Sequence, residues 1–399
     1  MGAFLNISTQ TLFGIIDHLP REEKLLLLAA IGNKSEDELF DIAGSWETLQ
    51  PLLKYPEYRA HKILMLYIPP VLFILGICGN FMSFFIMRQK GNQRSSTYTF
   101  LKSLAVADTM VLWVGLLPRW FNELTGFDLS FQANWLCKIM VMLGYFCSNI
   151  STWIVVAVTI ERFLVVYYPL KVLGLYSVAR ARKIIGGLYA MFLSLNIHFL
   201  WTVGLIEEQD SYPRPVCGAV AGNEYLITVI WPWVDAATYC LLPFLIISIF
   251  NVLIISKVRR TAKQRAILQK VCLRRRKASS VHTYSCLTGM LLSVSFALLL
   301  CKLPMNVSII ASVFWNSRGH DNAAMSKFQL FFTVSELLMH LNHSSNFFLY
   351  CASGQKFRKD VMRMFCWKST NAQQDSSNII SPICRRNVYN PTRKEETRV

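Results

Sequence analysis

Residues 137–170 read CKIMVMLGYFCSNISTWIVVAVTIERFLVVYYPL, and this stretch decides the fold. After Lys138 no charged residue appears until Glu161, and an apolar run of about 20 residues is long enough to cross a bilayer as a helix. Small and polar residues recur at helical spacing along one side, on the line that ends at Arg162. They are Gly144, Ser148 and Ser151. We therefore predict a transmembrane helix with a polar interior face.

Six more apolar blocks accompany this one along the chain. The seven blocks cover residues 63–88, 97–121, 137–167, 183–205, 227–256, 283–315 and 328–351. Of the 399 residues, 53% are hydrophobic and only 16% are charged, which is typical of membrane proteins. The sequence predicts an all-α membrane protein, with a seven-transmembrane helix bundle over residues 61–353.

The distribution of charge predicts which end of the bundle faces the cytoplasm. Residues 257–277, between the fifth and sixth blocks, contain ten Lys or Arg residues and no Asp or Glu. Acidic residues outnumber basic ones before the first block. Because loops rich in Lys and Arg stay in the cytoplasm, we predict a plasma-membrane protein with an extracellular N-terminus and a cytoplasmic C-terminus. Inner-leaflet lipid then explains the net charge of +17, and nucleic acid is not expected as a partner.

The predicted extracellular parts of the chain carry candidate covalent modifications. Residues 1–60 form an extracellular tail with glycosylation sequons at Asn6 and Asn33. Cys137 opens the third block on its outer side, and Cys217 lies in the outer loop after the fourth block. A disulfide between these two cysteines would tie the loop over the bundle, the alternative being two unpaired thiols in an oxidising compartment.

The predicted cytoplasmic end consists of two segments. Residues 354–366 place apolar side chains at helical spacing, which predicts a short amphipathic eighth helix on the lipid surface. Cys366 at its end is a candidate for palmitoylation. Residues 367–399 are polar and are predicted to be disordered. Their last residues, including Thr397 and Val399, fit a peptide that adds a strand to a PDZ domain.

Several ionisable residues fall inside the predicted helices. Charges at this depth are costly, and those that occur usually face the bundle interior and serve a function. The alternative is a set of hydrogen bonds that only hold the helices together, which suits Asn80 and Asn346 better than a charged side chain. The charged residues are Asp108, Arg119, Asp235, Lys302 and Glu336.

Short motifs in a fixed order carry a family resemblance. They are Gly79-Asn80, Leu104-Ala105-Val106-Ala107-Asp108, Glu161-Arg162-Phe163, Pro169-Leu170, Pro243, Cys301-Lys302-Leu303-Pro304 and Asn346-Phe347-Phe348-Leu349-Tyr350. Over residues 60–366 the chain resembles the rhodopsin-like G-protein-coupled receptors. The resemblance implies a receptor that binds a ligand outside the cell and activates a heterotrimeric G protein inside it, with arrestin as a further partner.

The resemblance also assigns roles to buried residues. The residues implied in the G-protein switch are Glu161, Arg162, Phe163, Leu170, Asn346 and Tyr350. In the resting state Arg162 would pair with Glu161, and activation would release it when the sixth helix swings outward about Pro304. A second set resembles the polar network that holds an allosteric sodium ion in the family. Its members are Asn80, Asp108, Ser151, Asn342 and Asn346.

The chain departs from the family pattern inside the sixth and seventh helices. Lys302 stands where the sixth-helix motif has Trp, and Phe347 stands where the seventh-helix motif has Pro. A Lys ammonium at the floor of the pocket leads to the hypothesis that Lys302 pairs with Asp108 and substitutes for the sodium ion. No cofactor other than this ion is predicted.

The outer halves of the helices bear on the class of ligand. Gly144 stands where aminergic receptors have Asp, and His340 stands where opsins have the retinal Lys, so neither ligand is expected. The candidate ligand-binding residues offer both signs of charge. They are Arg119, Gly144, Asp235, Lys302, Asn306, Glu336 and His340. A polar crevice of this kind favours a peptide ligand over a lipid or steroid.

Two further stretches, Asn346–Gly354 and Asn196–Phe199, are similar to FMRFamide-type and related invertebrate neuropeptide receptors. This resemblance implies a neuropeptide ligand. A receptor for a non-peptide small molecule, or an orphan receptor, stays the alternative. A transporter is a remote alternative because no internal repeat is visible, and an enzyme is not expected because no catalytic triad or metal-ligand spacing is present.

Overall fold

The computed structural model describes residues 52–89, 92, 95–168, 177–207, 215–271, 279–315 and 321–372. It describes the side chains of all of these residues except 207, 265–290, 313–315 and 365–372. Over these residues the chain forms eight long helices and one pair of short strands. The first four helices are α1 (Pro56–Arg88), α2 (Ser96–Thr125), α3 (Asn134–Tyr167) and α4 (Val178–Thr202). Helix α5 runs through the consecutive segments Leu226–Ile230, Trp231–Asp235, Ala236–Leu241 and Leu242–Val271. The remaining helices are α6 (Ser279–Trp315), α7 (Asn322–Ser353) and α8 (Gln355–Ala372).

Three of the helices begin at residues whose side chains cap them. Ser95 accepts a hydrogen bond from the backbone N–H of Tyr98, and Ser177 and Asp321 do the same at the starts of α4 and α7. Ser and Asp are favoured at this position because their oxygens satisfy an N–H group that has no partner within the helix. The polar residues between the apolar blocks therefore set where these helices start.

Six helices in the described part of the chain are long and apolar enough to cross a membrane. They are α1 to α6, whereas α7 is long enough but too polar to be counted with them. The reason is its interior face, where Glu336, His340, His343 and Asn346 are all buried against other helices. Helix α7 still follows the seventh apolar block predicted from the sequence.

Helices α2 and α5 each contain wider, π-helical turns beside a proline. The turn Leu112–Leu116 precedes Pro118 in α2, and the turn Ala236–Leu241 precedes Pro243 in α5. Proline lacks the backbone N–H and its ring collides with the carbonyl one turn earlier, so the helix adjusts its hydrogen bonding there. These turns rotate the outer part of each helix relative to its inner part.

Helices α1 and α7 approach each other closely because two glycines face α7. A Cβ atom at Gly76 would lie 2.7 Å from Ser344 Oγ, and one at Gly79 would lie 2.9 Å from the Cβ of Phe347. Real Cβ atoms do not come so near to other atoms. These two positions therefore require glycine, which has no side chain. Phe347, which replaces the motif proline, lets α7 continue without interruption to Ser353.

The end of the bundle that the charge distribution predicts to be extracellular, called the outer end below, carries a β-hairpin that the all-α prediction did not include. Strand β1 (Val203–Glu207) pairs with antiparallel strand β2 (Pro215–Ala219), with Leu205 opposite Cys217. The predicted disulfide between Cys137 and Cys217 is present, with 5.6 Å between the two Cα atoms. It ties the hairpin to the start of α3, at the outer end of the bundle.

Helix α8 packs against the inner end of the bundle. Phe357 is buried, with its ring 5.4 Å from Tyr350 and 5.8 Å from Phe347. Arg358 Nη1 donates hydrogen bonds to the carbonyl oxygens of Cys351 and Ala352, which have no N–H partner at the end of α7. These contacts hold α8 at the turn after α7, and its location on the lipid surface stays a prediction.

Candidate functional site

The first group of predicted ligand-binding residues lies between the outer halves of α2 and α7. Arg119 Nε is 2.9 Å from Glu336 Oε1, and His340 Nε2 is 3.8 Å from the same oxygen. The Glu336 side chain is 5% exposed and that of Arg119 is 54% exposed, so the pair opens to solvent on the arginine side. The second oxygen, Glu336 Oε2, is buried without a hydrogen-bond partner among the described residues. The pair is therefore a buried carboxylate whose charge is balanced by a half-exposed arginine.

The second group lies between α3, α5 and α6. Lys302 Nζ donates a hydrogen bond to Thr152 and stands 3.9 Å from the centre of the Tyr239 ring. Asp235 is buried one turn outward from Tyr239 on α5, and Asn306 Nδ2 donates to the Lys302 carbonyl oxygen at 2.7 Å. Sequence reasoning did not single out Thr152 or Tyr239, since neither residue is charged or belongs to a motif.

The predicted pairing of Lys302 with Asp108 does not appear as a direct ion pair. Among the described residues the Lys302 ammonium forms no ion pair with a carboxylate, and its contacts are the Thr152 hydroxyl and the face of Tyr239. A hydroxyl and an aromatic face are both able to stabilise a buried ammonium. These two groups therefore satisfy the Lys302 side chain, and Asp108 acts on it only through electrostatic attraction over a longer distance.

Space for a ligand lies beside α3. Gly144 shares a helical face with Ser148 and Ser151, and Ser151 contacts residues of α2 and α7, so this face points into the bundle. A Cβ atom added at Gly144 would meet nothing within 4 Å. The missing side chain leaves room two turns outward from Ser151.

A buried aromatic cluster packs beneath the hairpin. The rings of Tyr145 and Phe199 stack with 4.9 Å between their centres, and Trp231 packs edge-on against both of them. His198 lies 4.4 Å from Trp231. Helices α3, α4 and α5 each contribute to the cluster. Of the sequence features discussed above, only the stretch Asn196–Phe199 falls in this cluster.

Asp108 stands at the centre of a buried polar network between α2, α3 and α7. Its Oδ1 accepts hydrogen bonds from Ser151 Oγ at 2.6 Å and from His343 Nδ1 at 2.7 Å, and its Oδ2 accepts one from Asn346 Nδ2 at 2.7 Å. Asn80 Nδ2 donates to the His343 carbonyl oxygen at 3.2 Å. Four of the five predicted network residues thus come together, with His343 added to them.

The fifth predicted member of the network, Asn342, is buried on α7. Among the described residues its side chain forms no hydrogen bond with Asp108. His343, the next residue, occupies that place instead. The sequence analysis did not place His343 in this network, although its spacing along α7 relative to Asn346 was an available signal.

A second network closes the inner end of α3. Arg162 Nη2 is 3.1 Å from Glu161 Oε2, and both side chains are buried. The same oxygen accepts a hydrogen bond from Thr97 Oγ1 at 2.9 Å, while Oε1 accepts one from Ser96 Oγ. Helix α2 therefore holds Glu161, which in turn holds the Arg162 guanidinium away from the inner surface.

The other predicted switch residues fall around this network. Phe163 packs on Phe250 of α5 with 4.7 Å between ring centres, and Tyr350 is buried beneath Phe357. Some predicted sites lie outside the described residues. They are Asn6, Asn33, Leu170, Thr397, Val399 and the side chain of Cys366.

Comparisons with known proteins agree with this arrangement. A family model described as "7 transmembrane receptor (rhodopsin family)" matches residues 79–350, which is more than half of the chain. The chain is similar to the FMRFamide receptor of Drosophila melanogaster, with 24% identity over 73% of this chain and 52% of that receptor. It is similar to the thyrotropin-releasing hormone receptor of Mus musculus, with 26% identity over 78% of this chain and 80% of that receptor. It is also similar to neurotensin receptor type 1 of Rattus norvegicus, with 23% identity over 75% of this chain and 74% of that receptor.

Proposed function

The chain belongs to the rhodopsin family of seven-transmembrane receptors, and from this premise we propose that it binds an extracellular neuropeptide and activates a heterotrimeric G protein. It is a multi-pass membrane protein. The observation that carries the peptide proposal is the Arg119–Glu336 pair, since it places a buried carboxylate with one unpartnered oxygen at the outer end of the bundle. A peptide brings cationic groups and hydrogen-bond donors that satisfy such an oxygen.

The rest of the outer crevice supports the same ligand class. It presents a buried carboxylate at Asp235 and a buried amide at Asn306, whose Oδ1 is without a partner among the described residues. The buried aromatic cluster with Trp231 lies one turn outward from Asp235 on α5. Mixed polar and aromatic surface suits a peptide. Relatives named as receptors for FMRFamide, thyrotropin-releasing hormone and neurotensin add to this support.

The inner network supports the coupling step. Glu161 holds Arg162 by an ion pair that two hydroxyl groups of α2 reinforce. A ligand that favours a second arrangement of the helices shifts the population toward a state in which Arg162 faces the G protein. In that state the Glu161–Arg162 contact is broken and Phe163 moves relative to Phe250.

Orientation, location and the remaining partners complete the proposal. The N-terminus is extracellular and the C-terminus cytoplasmic in the plasma membrane, because the basic loop between α5 and α6 stays inside the cell. Arrestin binds the same inner face as the G protein. The C-terminal Thr397 and Val399 bind a PDZ domain, Asn6 and Asn33 carry glycans, and Cys366 carries a palmitoyl group.

The test is a signalling assay on cells that express the full chain. Calcium and cyclic-nucleotide responses are measured against a library of neuropeptides in amidated and free-acid forms, with a small-molecule library in parallel. A potent peptide response that requires the outer crevice is the expected result. A response to small molecules alone would replace the peptide proposal with the alternative ligand class.

Two variants locate the response within the molecule. Arg162→Ala is expected to abolish signalling while surface binding of the active peptide persists, because Arg162 lies on the inner side. Glu336→Gln is expected to weaken peptide binding while the maximal response persists. Silence of the chain in both libraries, with surface expression verified, would count against coupling to a G protein.

A further inference from the structure

The environment of Asp108 does not fit the sodium ion that the family resemblance implies. A hard cation binds where several oxygen lone pairs point at one position. Around Asp108 the neighbouring groups point hydrogen atoms at the carboxylate instead. Ser151 offers its O–H and His343 its Nδ1–H to Oδ1, and Asn346 offers its amide N–H to Oδ2.

The orientation of Asn346 follows from the chemistry of its neighbour. An amide that faces a carboxylate must present its nitrogen, because its oxygen would be repelled. The amide therefore supplies no lone pair beside Asp108, and its Oδ1 is buried elsewhere without a partner among the described residues. Ser151 donates its O–H to Asp108, and its oxygen lies 3.3 Å from His343 Nδ1, so the ring stands against this oxygen as well.

The imidazole of His343 occupies the position next to the carboxylate. Its Nδ1 is 2.7 Å from Asp108 Oδ1, and both side chains have 0% exposure. With the ring in place, the oxygens of Asp108 are satisfied by protein groups from α3 and α7. A small cation would have to displace the ring before it could reach the carboxylate oxygens.

We infer that His343 takes the place of the sodium ion in this chain, as a built-in donor that closes the Asp108 network and joins α2, α3 and α7. The inference rests on the receptor family and not on the identity of the ligand. It predicts a receptor whose resting conformation does not respond to sodium. It also predicts that removing the ring opens a cation site between Asp108, Ser151 and the shorter side chain.

The test measures the thermal stability of the purified full-length receptor without any ligand. Unfolding is followed in NaCl, KCl and N-methyl-D-glucamine chloride at one ionic strength of about 0.15 M. The wild-type chain is expected to show the same Tm in all three salts. The Tm of His343→Ser is expected to be higher in NaCl than in KCl by about 2 °C or more, since an ion that binds only the folded state raises the stability of that state.

Matched variants separate this effect from a loss of packing. His340→Ser removes a histidine one turn away on α7 and is expected to show no difference between sodium and potassium. His343→Ser combined with Asp108→Asn is expected to lose the sodium response. Should His343→Ser fail to fold, His343→Asn goes through the same series, because a shorter side chain with an amide oxygen also vacates the position of the ring.

The outcomes decide the inference directly. A sodium-specific rise in the wild-type Tm would overturn it, because the ring would then not exclude the ion. If every folded His343 variant has the same Tm in NaCl and in KCl, the claim that the ring occupies the position of a cation is overturned. Because no ligand is used, the result is independent of whether the neuropeptide proposal succeeds.

Discussion

The buried carboxylates of the outer and inner halves of the bundle differ in how completely their oxygens are satisfied. In the inner half, both oxygens of Asp108 and both oxygens of Glu161 accept hydrogen bonds from protein donors. In the outer half, Glu336 has one oxygen without a partner among the described residues, and its cation Arg119 is half exposed. Both halves are polar, yet of these three carboxylates only the two in the inner half have both oxygens satisfied.

This difference has a physical meaning. A buried group that lacks a partner is costly, so a ligand that provides the partner recovers that cost on binding. A network in which the carboxylate oxygens are satisfied instead holds one arrangement of helices and must be broken for another to form. The outer half is suited to receive a ligand, and the inner half is suited to hold a resting state.

The largest expected effect comes from cutting the covalent tie of the outer half. Cys137→Ser releases the hairpin from α3, and ligand binding is expected to fall about 100-fold or more, since loss of a native disulfide costs about 2–5 kcal/mol. Surface-normalised ligand binding measures this. Cys78→Ser, an exposed free cysteine on α1, is the matched control and should bind normally. Full binding by Cys137→Ser would mean that the hairpin does not shape the crevice.

The second effect opens the inner half. Glu161→Gln removes the charge that holds Arg162, and basal G-protein activation is expected to rise by roughly 10-fold, because a hydrogen bond to a charged group is worth about 1.5–3 kcal/mol. Nucleotide exchange without ligand measures this. Glu336→Gln, the corresponding change in the outer half, should leave the basal rate unchanged. An equal rise in both variants would contradict the division of the bundle into two regions.

The third effect concerns affinity. Glu336→Gln is expected to lower peptide potency by about 10-fold with the maximal response kept, because a partly buried charge partner is lost at the ligand site. Dose–response curves measure this, and Glu123→Gln, which removes an ion pair with Lys62, serves as the control. Loss of the maximal response with unchanged potency would place Glu336 in the switch instead.

The smallest effect tests whether solvent exposure weakens an ion pair at the outer rim of the bundle. Lys62 Nζ lies 2.8 Å from Glu123 Oε1 with the Lys side chain 37% exposed. Lys62→Gln is expected to lower the Tm by no more than about 2 °C, since such exposed pairs contribute only about 0–1 kcal/mol. Thermal unfolding of the purified receptor measures this. A larger fall would show that the rim is held more tightly than its exposure implies.

Much of the fold was predictable because its signals are local. Apolar length places the helices, and ordered motifs such as Glu161-Arg162-Phe163 carry the family. The disulfide followed from only two cysteines being in the predicted outer region. The hairpin and the π-helical turns were not predicted, because strand pairing and turn width depend on contacts that leave no local periodicity.

The sequence by itself determined which buried residues are polar and at what depth each one lies, since helical rise converts position into depth. Only the tertiary structure decided which of them meet. His343 reaches Asp108 across 235 residues of chain, and Lys302 reaches Thr152 across 150. Lys302 and Asp108 form no direct ion pair for this reason, because residues at similar depth can still face different neighbours. Helix rotation, which the packing of the whole bundle sets, selects the partner.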